Sequence, residues 1–146
     1  MLYSRPCEYA IRATTYLARQ SPSRLVPVGE IARAEGIPVP FLSQVLYQLA
    51  RGGLLYSRRG PGGGFQLARP AQDVALREVV AIIDGLEGLK QCVLGLHQCA
   101  DDAPCPLHEM WKGLRGRLSA YLDRVTLAEL ARAAERRMDR DAIREV

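Results

Sequence analysis

Apolar residues recur at helical spacing in three stretches of the first fifty residues. The first stretch predicts a helix over residues 6–20, which the Ser21-Pro22-Ser23 segment ends. A second helix is expected from Val28 to about Ala34, followed by Gly36, a residue that allows a sharp left-handed turn. A third helix is expected over residues 39–51. Two short helices joined by a glycine-containing turn are typical of a helix-turn-helix, whose second helix enters the DNA major groove.

The third helix has an apolar face and a polar face. Leu42, Val45, Leu46 and Leu49 follow the i, i+3, i+4, i+7 spacing of a core-facing stripe. The opposite face carries side chains able to bond base edges or phosphates. Any small helical domain also has a polar outer face, so this face alone does not define a DNA contact. The outward positions are Pro40, Ser43, Gln44, Tyr47, Gln48 and Arg51.

A glycine-rich segment follows the third helix. Two short apolar and aromatic runs flank the sequence Arg59-Gly60-Pro61-Gly62-Gly63-Gly64, which predicts a β-hairpin. The glycines match neither the P-loop nor the dinucleotide-binding fingerprint, so a nucleotide site is not expected. Arg58 and Arg59, at the base of the hairpin, are suited to phosphates or a narrowed minor groove. The expected fold is mainly α with a small β-hairpin wing: a winged helix-turn-helix followed by a long C-terminal helix.

The second half of the chain alternates helices with a loop. A helix is expected over residues 73–86, then a loop over 89–106 with little periodicity that something else should hold in place. A long helix from about Pro106 to Asp123 carries an apolar stripe typical of a dimer contact or a core face. A short helix capped by Thr126 reaches residue 134, and the charged tail beyond it is expected to be mobile. The stripe consists of Leu107, Trp111, Leu114, Leu118, Tyr121 and Val125.

These elements divide the chain into four segments. Residues 1–88 are expected to form the DNA-binding domain, 89–106 a cysteine-rich loop, 107–134 the dimerisation helix with the short helix after it, and 135–146 a charged tail. This order places the loop between the DNA-binding part and the helix expected to form the dimer.

Charge is distributed unevenly over the 146 residues. The first seventy carry nine arginines against three glutamates, a net charge of +6, whereas the remainder carries −2. A basic N-terminal half favours a polyanionic partner. No apolar run is long enough to span a membrane and no signal peptide is recognisable, so a cytoplasmic protein is expected. No catalytic triad or paired carboxylate motif is present, and an enzyme is not expected.

Three of the four cysteines are clustered. Cys92, Cys99 and Cys105 fall within fourteen residues, and Cys7 stands apart. Structural disulfides are rare in the cytosol, whereas thiolates are soft ligands suited to iron-sulfur clusters or zinc. Gaps of six and five residues differ from the paired knuckles of structural zinc sites. The spacing therefore favours a cluster, with a zinc site or a cluster-free thiol switch as alternatives.

The chain resembles the Rrf-type winged-helix transcription regulators, the family that includes IscR and NsrR, over about residues 1–134. The resemblance implies a homodimer that binds double-stranded operator DNA through the third helix and the wing, and an iron-sulfur cluster on the three cysteines. Ser43 and Pro40 depart from the family pattern, so operator preference does not carry over. The resemblance rests on four motifs: Arg59-Gly60-Pro61-Gly62-Gly63-Gly64-Phe65, the three-cysteine loop, Cys105-Pro106-Leu107-His108, and Thr126-Leu127-Ala128-Glu129-Leu130.

The fourth ligand has three candidates. His108 lies three residues beyond Cys105 and favours a [2Fe-2S] cluster. The resemblance implies Glu8 as a rival, because related regulators can use an acidic residue near the N-terminus of the other subunit, and Glu8 would indicate a [4Fe-4S] or otherwise cross-subunit site. Cys7 is the third candidate, and His97 is expected to be solvent-exposed. A non-thiolate ligand would leave the cluster open to oxidation, nitric oxide or loss when iron is short.

The sequence therefore predicts a regulator, most simply a repressor, that senses redox state, nitric oxide or cluster supply. Two other functions are weighed against it: a cluster-free regulator controlled by thiols or partners, and a small electron-transfer protein. The residues assigned to DNA are Ser43, Gln44, Tyr47, Gln48, Arg51, Arg58, Arg59, Gly62 and Gly63.

Overall fold

The described residues form six α-helices, two short 3-10 helices (Ala71–Asp73 and Glu87–Lys90) and one two-stranded hairpin. The structure is a computed structural model that describes residues 2–96 and 98–144, with side chains up to residue 141. The helices are α1 (Arg5–Ala18), α2 (Val28–Glu35), α3 (Val39–Arg51), α4 (Leu76–Ile83), α5 (His108–Arg124) and α6 (Leu127–Arg144); the strands are β1 (Leu55–Arg58) and β2 (Gly64–Leu67). The predicted mainly α fold with a β-hairpin wing is confirmed. None of the described helices is long and apolar enough to cross a membrane.

Capping residues define the ends of the N-terminal helices. The Ser4 hydroxyl accepts a hydrogen bond from the backbone N–H of Cys7 at 3.2 Å and starts α1. Gly36 follows α2 with φ of 62°, the left-handed conformation that glycine adopts without strain. The backbone N–H of Ile37 then bonds the Ala32 carbonyl at 3.0 Å, so α3 leaves at a sharp angle. The helix-turn-helix is therefore present as predicted.

α1 lies at the centre of the molecule and packs against α2, α3, α4 and α6. The main core joins these helices to the wing, and its largest fully buried side chains include Ile31, Leu42, Leu46, Leu49 and Leu127. A second, smaller core of Cys7, Leu76, Val80 and Leu122 connects α1, α4 and α5. Burial of the predicted α3 stripe fixes which side of that helix remains available to a partner.

The wing is a hairpin with a short additional strand contact. Leu55 pairs with Leu67 and Arg58 with Gly64 in an antiparallel register. Val26, in the loop before α2, exchanges two 2.9 Å backbone hydrogen bonds with Phe65. A Cβ on Gly64 would overlap the Val26 carbonyl, so only glycine allows this close approach. The wing is thereby fixed to the helix-turn-helix at its base.

The C-terminal helices differ from prediction at their ends. The long helix begins at His108, two residues after Pro106. Thr126 caps α6 as predicted: its hydroxyl accepts from the Glu129 N–H at 3.3 Å, and the Glu129 carboxylate accepts from the Thr126 N–H at 3.0 Å. The helix predicted to stop at residue 134 continues to Arg144, so the predicted separate tail is helical over 135–144. Residues 145 and 146 of that tail lie outside the described residues.

Candidate nucleic-acid interface and cysteine loop

The exposed face of α3 carries the predicted polar residues. Gln44 and Arg51 are exposed, Tyr47 is 38% exposed, and Ser43 is half-buried at the edge of the face. An α3 held by its apolar stripe can present these side chains to the major groove.

Gln48 was predicted to face outward, but its side chain is half-buried against α4. Its side-chain amide donates a 3.0 Å hydrogen bond to the backbone carbonyl of Ile82, close to the end of α4. The amide thereby satisfies a carbonyl that a helix end leaves without an intrahelical partner. Gln48 therefore links α3 to α4, and a contact of Gln48 with bases stays a prediction.

Two exposed apolar residues on the first turn of α3 are absent from the predicted site. Val39 is 43% exposed and Phe41 is 60% exposed. Both residues lie outside the buried stripe of α3, which begins at Leu42. Two apolar residues outside that stripe were the sequence signal that could have identified this exposed pair. Apolar side chains at this place can contact thymine methyl groups.

The wing and α3 meet through aromatic contacts. The rings of Tyr47 and Phe65 pack edge to face with centroids 5.3 Å apart. The guanidinium of Arg59 lies 5.9 Å from the centroid of the Tyr47 ring, within the range of a cation–π contact. Arg59 therefore stands beside the recognition helix, where one phosphate backbone could contact both.

The tip of the wing holds its own shape. The Arg58 guanidinium donates to the Gly62 carbonyl at 3.0 Å, and the Gly63 N–H donates to the Gly60 carbonyl at 3.0 Å. A Cβ on Gly63 would overlap the Arg58 carbonyl, so this position requires glycine. Arg58 thus stabilises the tip while it remains exposed. Arg58, Arg59, Gly62 and Gly63 all lie in the wing, and their contact with DNA stays a prediction.

The apolar stripe of α5 divides between two faces. Leu118 and Val125 pack into the second core, and Trp111 is half-buried with its indole N–H donating to the Gln91 carbonyl at 2.9 Å. Leu107, Leu114 and Tyr121 are exposed by 38%, 57% and 41%. Met110, 72% exposed and outside the predicted stripe, joins this second face. The outward face of α5 therefore carries exposed apolar side chains, with the exposed Arg117 among them.

The cysteine loop is held by more contacts than its sequence indicates. Gln91 and Gln98 form an antiparallel bridge, the Cys99 N–H donates to the Lys90 carbonyl at 3.3 Å, and Trp111 anchors Gln91 to α5. Backbone bonds across its turn therefore close the loop, and Trp111 holds it from outside, in line with the expectation that another element holds it. His97, predicted to be exposed, lies outside the described residues.

The three sulfurs of the loop influence one another. The backbone N–H of Leu94 lowers the pKa of the Cys92 thiol, with smaller contributions from Cys105 and the Leu96 N–H. Burial raises the pKa of the Cys105 thiol, and the Cys92 and Cys99 sulfurs raise it further. Cys92, whose thiol pKa is lowered, therefore lies next to Cys105, whose thiol pKa is raised.

His108 completes this group. It is only 3% exposed, and its Nδ1 atom lies 3.3 Å from the Cys99 sulfur. Its Nε2 atom lies 2.8 Å from Asp101, which also pairs with Lys112 at 2.7 Å. The salt bridge to Lys112 and the contact with His108 lower the pKa of the Asp101 carboxyl. The chain thus brings His108 to the cysteines, although the described residues contain no set of three or more Cys, His, Asp or Glu side chains arranged around one metal ion.

The other two candidate ligands lie elsewhere in this single chain. Cys7 is fully buried in the second core, where burial and, next, the nearby Asp84 carboxylate raise the pKa of its thiol to about 12. Glu8 is ion-paired with Arg5 on its own helix at 3.2 Å. Cys7 therefore acts as a small core side chain, while a contact of Glu8 with a second subunit stays a prediction.

Sequence comparisons match this chain to transcriptional regulators. The family described as iron-dependent transcriptional regulator, Rrf2, matches residues 3–133. The HTH-type transcriptional regulator IscR of Vibrio atlanticus is 35% identical over 127 residues, covering 87% of this chain and 73% of that protein. IscR of Photobacterium profundum is 36% identical over 124 residues, covering 85% and 72%.

Solved structures show the same fold. CymR (YrzC), the global cysteine regulator of B. subtilis, superposes with a TM-score of 0.78 at 21% identity, covering 91% of this chain and 98% of that one. T. potens IscR gives a TM-score of 0.73 at 24% identity, covering 92% and 88%. These likenesses establish the winged-helix fold, and the curated relatives are HTH-type transcriptional regulators rather than enzymes. Because the family match spans nearly the whole chain, the protein belongs to the Rrf2 family of transcriptional regulators.

Proposed function

We propose that this protein is a homodimeric, cytoplasmic transcriptional repressor whose operator binding depends on an iron-sulfur cluster held by Cys92, Cys99, Cys105 and His108. The observation that carries the proposal is the 3.3 Å contact between the Cys99 sulfur and His108 Nδ1 at the start of α5. A buried imidazole beside a group of three thiols offers three sulfur donors and one nitrogen donor.

The chemistry of this donor set fits a cluster better than a single ion. Structural zinc sites typically use paired cysteine knuckles, and the gaps of six and five residues between the three cysteines differ from that spacing. A cluster distributes its ligands over two or four irons, which suits donors that neighbour one another in pairs. A [2Fe-2S] cluster with three cysteines and His108 is favoured. When bound, it would supply one-electron redox chemistry and a target for oxidants or nitric oxide.

The DNA-binding part of the proposal rests on one surface. Gln44 and Tyr47 on α3, together with Ser43, would meet base edges, while Arg51, Arg58 and Arg59 would meet phosphates or the minor groove. Gly62 and Gly63 allow the wing backbone to approach the DNA closely. The N-terminal net charge of +6 supports this assignment.

The exposed apolar face of α5 supports a two-fold dimer. Met110, Leu114 and Tyr121 lie on that face with large exposed fractions. A second copy would bury these side chains, and a symmetric pair would place two recognition helices on two half-sites.

A chain of contacts connects the cysteine loop to the recognition helix. Trp111 joins the loop to α5, α5 packs on α4, and Gln48 binds the Ile82 carbonyl of α4. Binding of the cluster would reorder the loop and shift α5, and this path would transmit the shift to α3. Because coupling is reciprocal, DNA binding would in turn stabilise the cluster-bound loop.

A cluster-free thiol switch is the second candidate. The likeness to CymR, the global cysteine regulator of B. subtilis, and the lowered pKa of the Cys92 thiol favour it. In this alternative, oxidation of a loop thiol would replace cluster state as the signal.

Anaerobic purification with iron and sulfide analysis and visible absorption separates the two candidates. The proposal expects about two irons and two sulfides per chain for [2Fe-2S], and loss of both in Cys92→Ala, Cys99→Ala and Cys105→Ala. Cys7→Ala is the control and should keep the cluster. A colourless protein without sulfide, even after reconstitution, would refute the cluster and leave the thiol switch.

The regulatory part of the proposal needs a DNA measurement. An operator is first selected from a pool of random duplexes, and apo and cluster-bound proteins are then titrated at one fixed salt concentration, because phosphate contacts make affinity depend on salt. Different affinities are expected. Equal affinities would show that the cluster does not control DNA binding.

A further inference from the structure

The two ring nitrogens of His108 face different groups. Nδ1 lies 3.3 Å from the Cys99 sulfur, and Nε2 lies 2.8 Å from Oδ1 of Asp101. The side chain is only 4% exposed, so water has little access to either nitrogen. The imidazole therefore has a sulfur-facing edge and a carboxylate-facing edge.

Lys112 holds the Asp101 carboxylate that faces Nε2 of His108. Its ammonium group lies 2.7 Å from the same Asp101 oxygen that faces Nε2. An ammonium group can only donate hydrogen bonds, and a carboxylate oxygen bound to it acts as an acceptor. Nε2 must then donate to that oxygen, so in the neutral ring Nδ1 keeps its lone pair and directs it toward Cys99.

Helix geometry brings the three residues together. His108 is the first residue of α5, and its N–H donates to the Cys105 carbonyl at 3.0 Å. Lys112 follows one turn later on the same face of α5, at i+4. Asp101 reaches this face from the loop and meets the ring on the side away from the Cys99 sulfur. This placement makes Asp101 a partner of the imidazole rather than one of the sulfur-side donors.

We propose that Asp101, held by Lys112, is a positioning residue that fixes His108 in the Nε2–H tautomer and makes Nδ1 the ring atom offered to the cluster. This inference rests on the proposed function: it specifies Nδ1 as the His108 atom that would bind the cluster and the Asp101–Lys112 pair as the group that orients the ring. Carboxylates that orient a ligating histidine in this way typically change metal affinity by about 10- to 100-fold when removed.

The test compares two adjacent aspartates. Asp101→Asn keeps the size of the side chain and removes the charged acceptor, and Lys112→Met removes the group that holds it. Asp102→Asn is the matched control, because Asp102 is the exposed neighbour in the same loop and makes none of the hydrogen bonds found among the described residues.

The first readout needs no cluster. The chain has two histidines, so untagged apoprotein with His97→Gln and ¹⁵N-labelled histidine reports on His108 alone by NMR. The Nε2–H tautomer is expected to dominate at fixed neutral pH in this background and with Asp102→Asn added, and to lose its dominance with Asp101→Asn. A dominant Nδ1–H tautomer, or no change in the Asp101→Asn protein, would overturn the proposal.

The second readout uses the reconstituted protein. Hyperfine coupling to selectively labelled histidine in the reduced state should identify Nδ1 as the bound atom, and the cluster in the Asp101→Asn protein should be lost about 10- to 100-fold faster in air. Coupling through Nε2, or equal loss rates for the two aspartate variants, would refute the assignment. If no iron and sulfide bind at all, the proposed function fails, while the NMR result still decides the tautomer.

Discussion

Tyr47 of the recognition helix and Phe65 of the wing pack edge to face, with ring centroids 5.3 Å apart and an interplanar angle of 70°. Phe65 is almost fully buried and is itself paired with Val26 through the backbone. The Arg59 guanidinium also lies near the Tyr47 ring, 5.9 Å from its centroid. This contact sets the distance between the two parts of the molecule that would touch DNA.

We expect Tyr47→Ala to separate the wing from α3. The loss of an aromatic pair should lower the free energy of unfolding by about 1 kcal/mol or somewhat more. The slope of log affinity against log salt should become shallower by about 0.9 for each phosphate contact that Arg58 or Arg59 loses. Tyr47→Phe keeps the ring and serves as the control. An unchanged salt slope in Tyr47→Ala would show that the contact does not position the wing.

The two glutamines of α3 should separate stability from DNA binding. Gln48→Ala removes the hydrogen bond to the Ile82 carbonyl and should cost about 1 kcal/mol of unfolding free energy, measured by urea denaturation. Gln44→Ala removes an exposed side chain and should leave stability unchanged, while affinity for the selected operator falls by about 5- to 100-fold, as for a lost base contact. The opposite pattern would indicate that Gln48, rather than Gln44, contacts the bases.

Helical periodicity predicted α3 well because its buried stripe is regular. The bounds 39–51 and the four buried positions follow from that spacing, and the turn at Gly36 follows from glycine's freedom at positive φ. Periodicity could not predict the contact of Gln48 with α4, because Gln48 lies at the boundary between the buried and the exposed face of α3. Which neighbour covers a flank depends on tertiary packing, here the end of α4.

For the cysteine loop, the sequence predicted which side chains could bind metal but not how the loop arranges them. The spacing of Cys105 and His108 indicated that they lie close together, but the role of Asp101 depends on the turn that brings it to the ring and on Lys112 one helical turn farther on. The continuation of α6 to Arg144 was missed because residues 135–144 have little apolar periodicity. Their helix formers and the Arg137–Asp141 pair at i, i+4 favour a helix without a buried face.

Gly63→Ala should damage the wing and leave the helical core intact. The new Cβ would overlap the Arg58 carbonyl, so the turn closed by Gly63 and Gly60 must open. Overpacking of this kind costs about 1–3 kcal/mol, and operator affinity should fall together with the salt slope. Gly88→Ala is the control, because a Cβ there meets no atom within 4 Å and φ is not positive. Equal operator affinity of the two variants would show that the wing tip does not contact DNA.

Leu114→Glu should convert the protein to a monomer. Leu114 is 57% exposed within one chain, so the charged side chain can remain solvated in a folded monomer but would be buried without a partner in a dimer through α5. Analytical ultracentrifugation should show half the mass of the unaltered protein, with an unchanged far-ultraviolet circular dichroism spectrum. Met138→Glu, at a 54% exposed apolar position on α6, is the matched control and should remain dimeric. If Leu114→Glu stays dimeric while Met138→Glu dissociates, the subunits meet through α6, and the two recognition helices would be spaced by a different face from the one proposed.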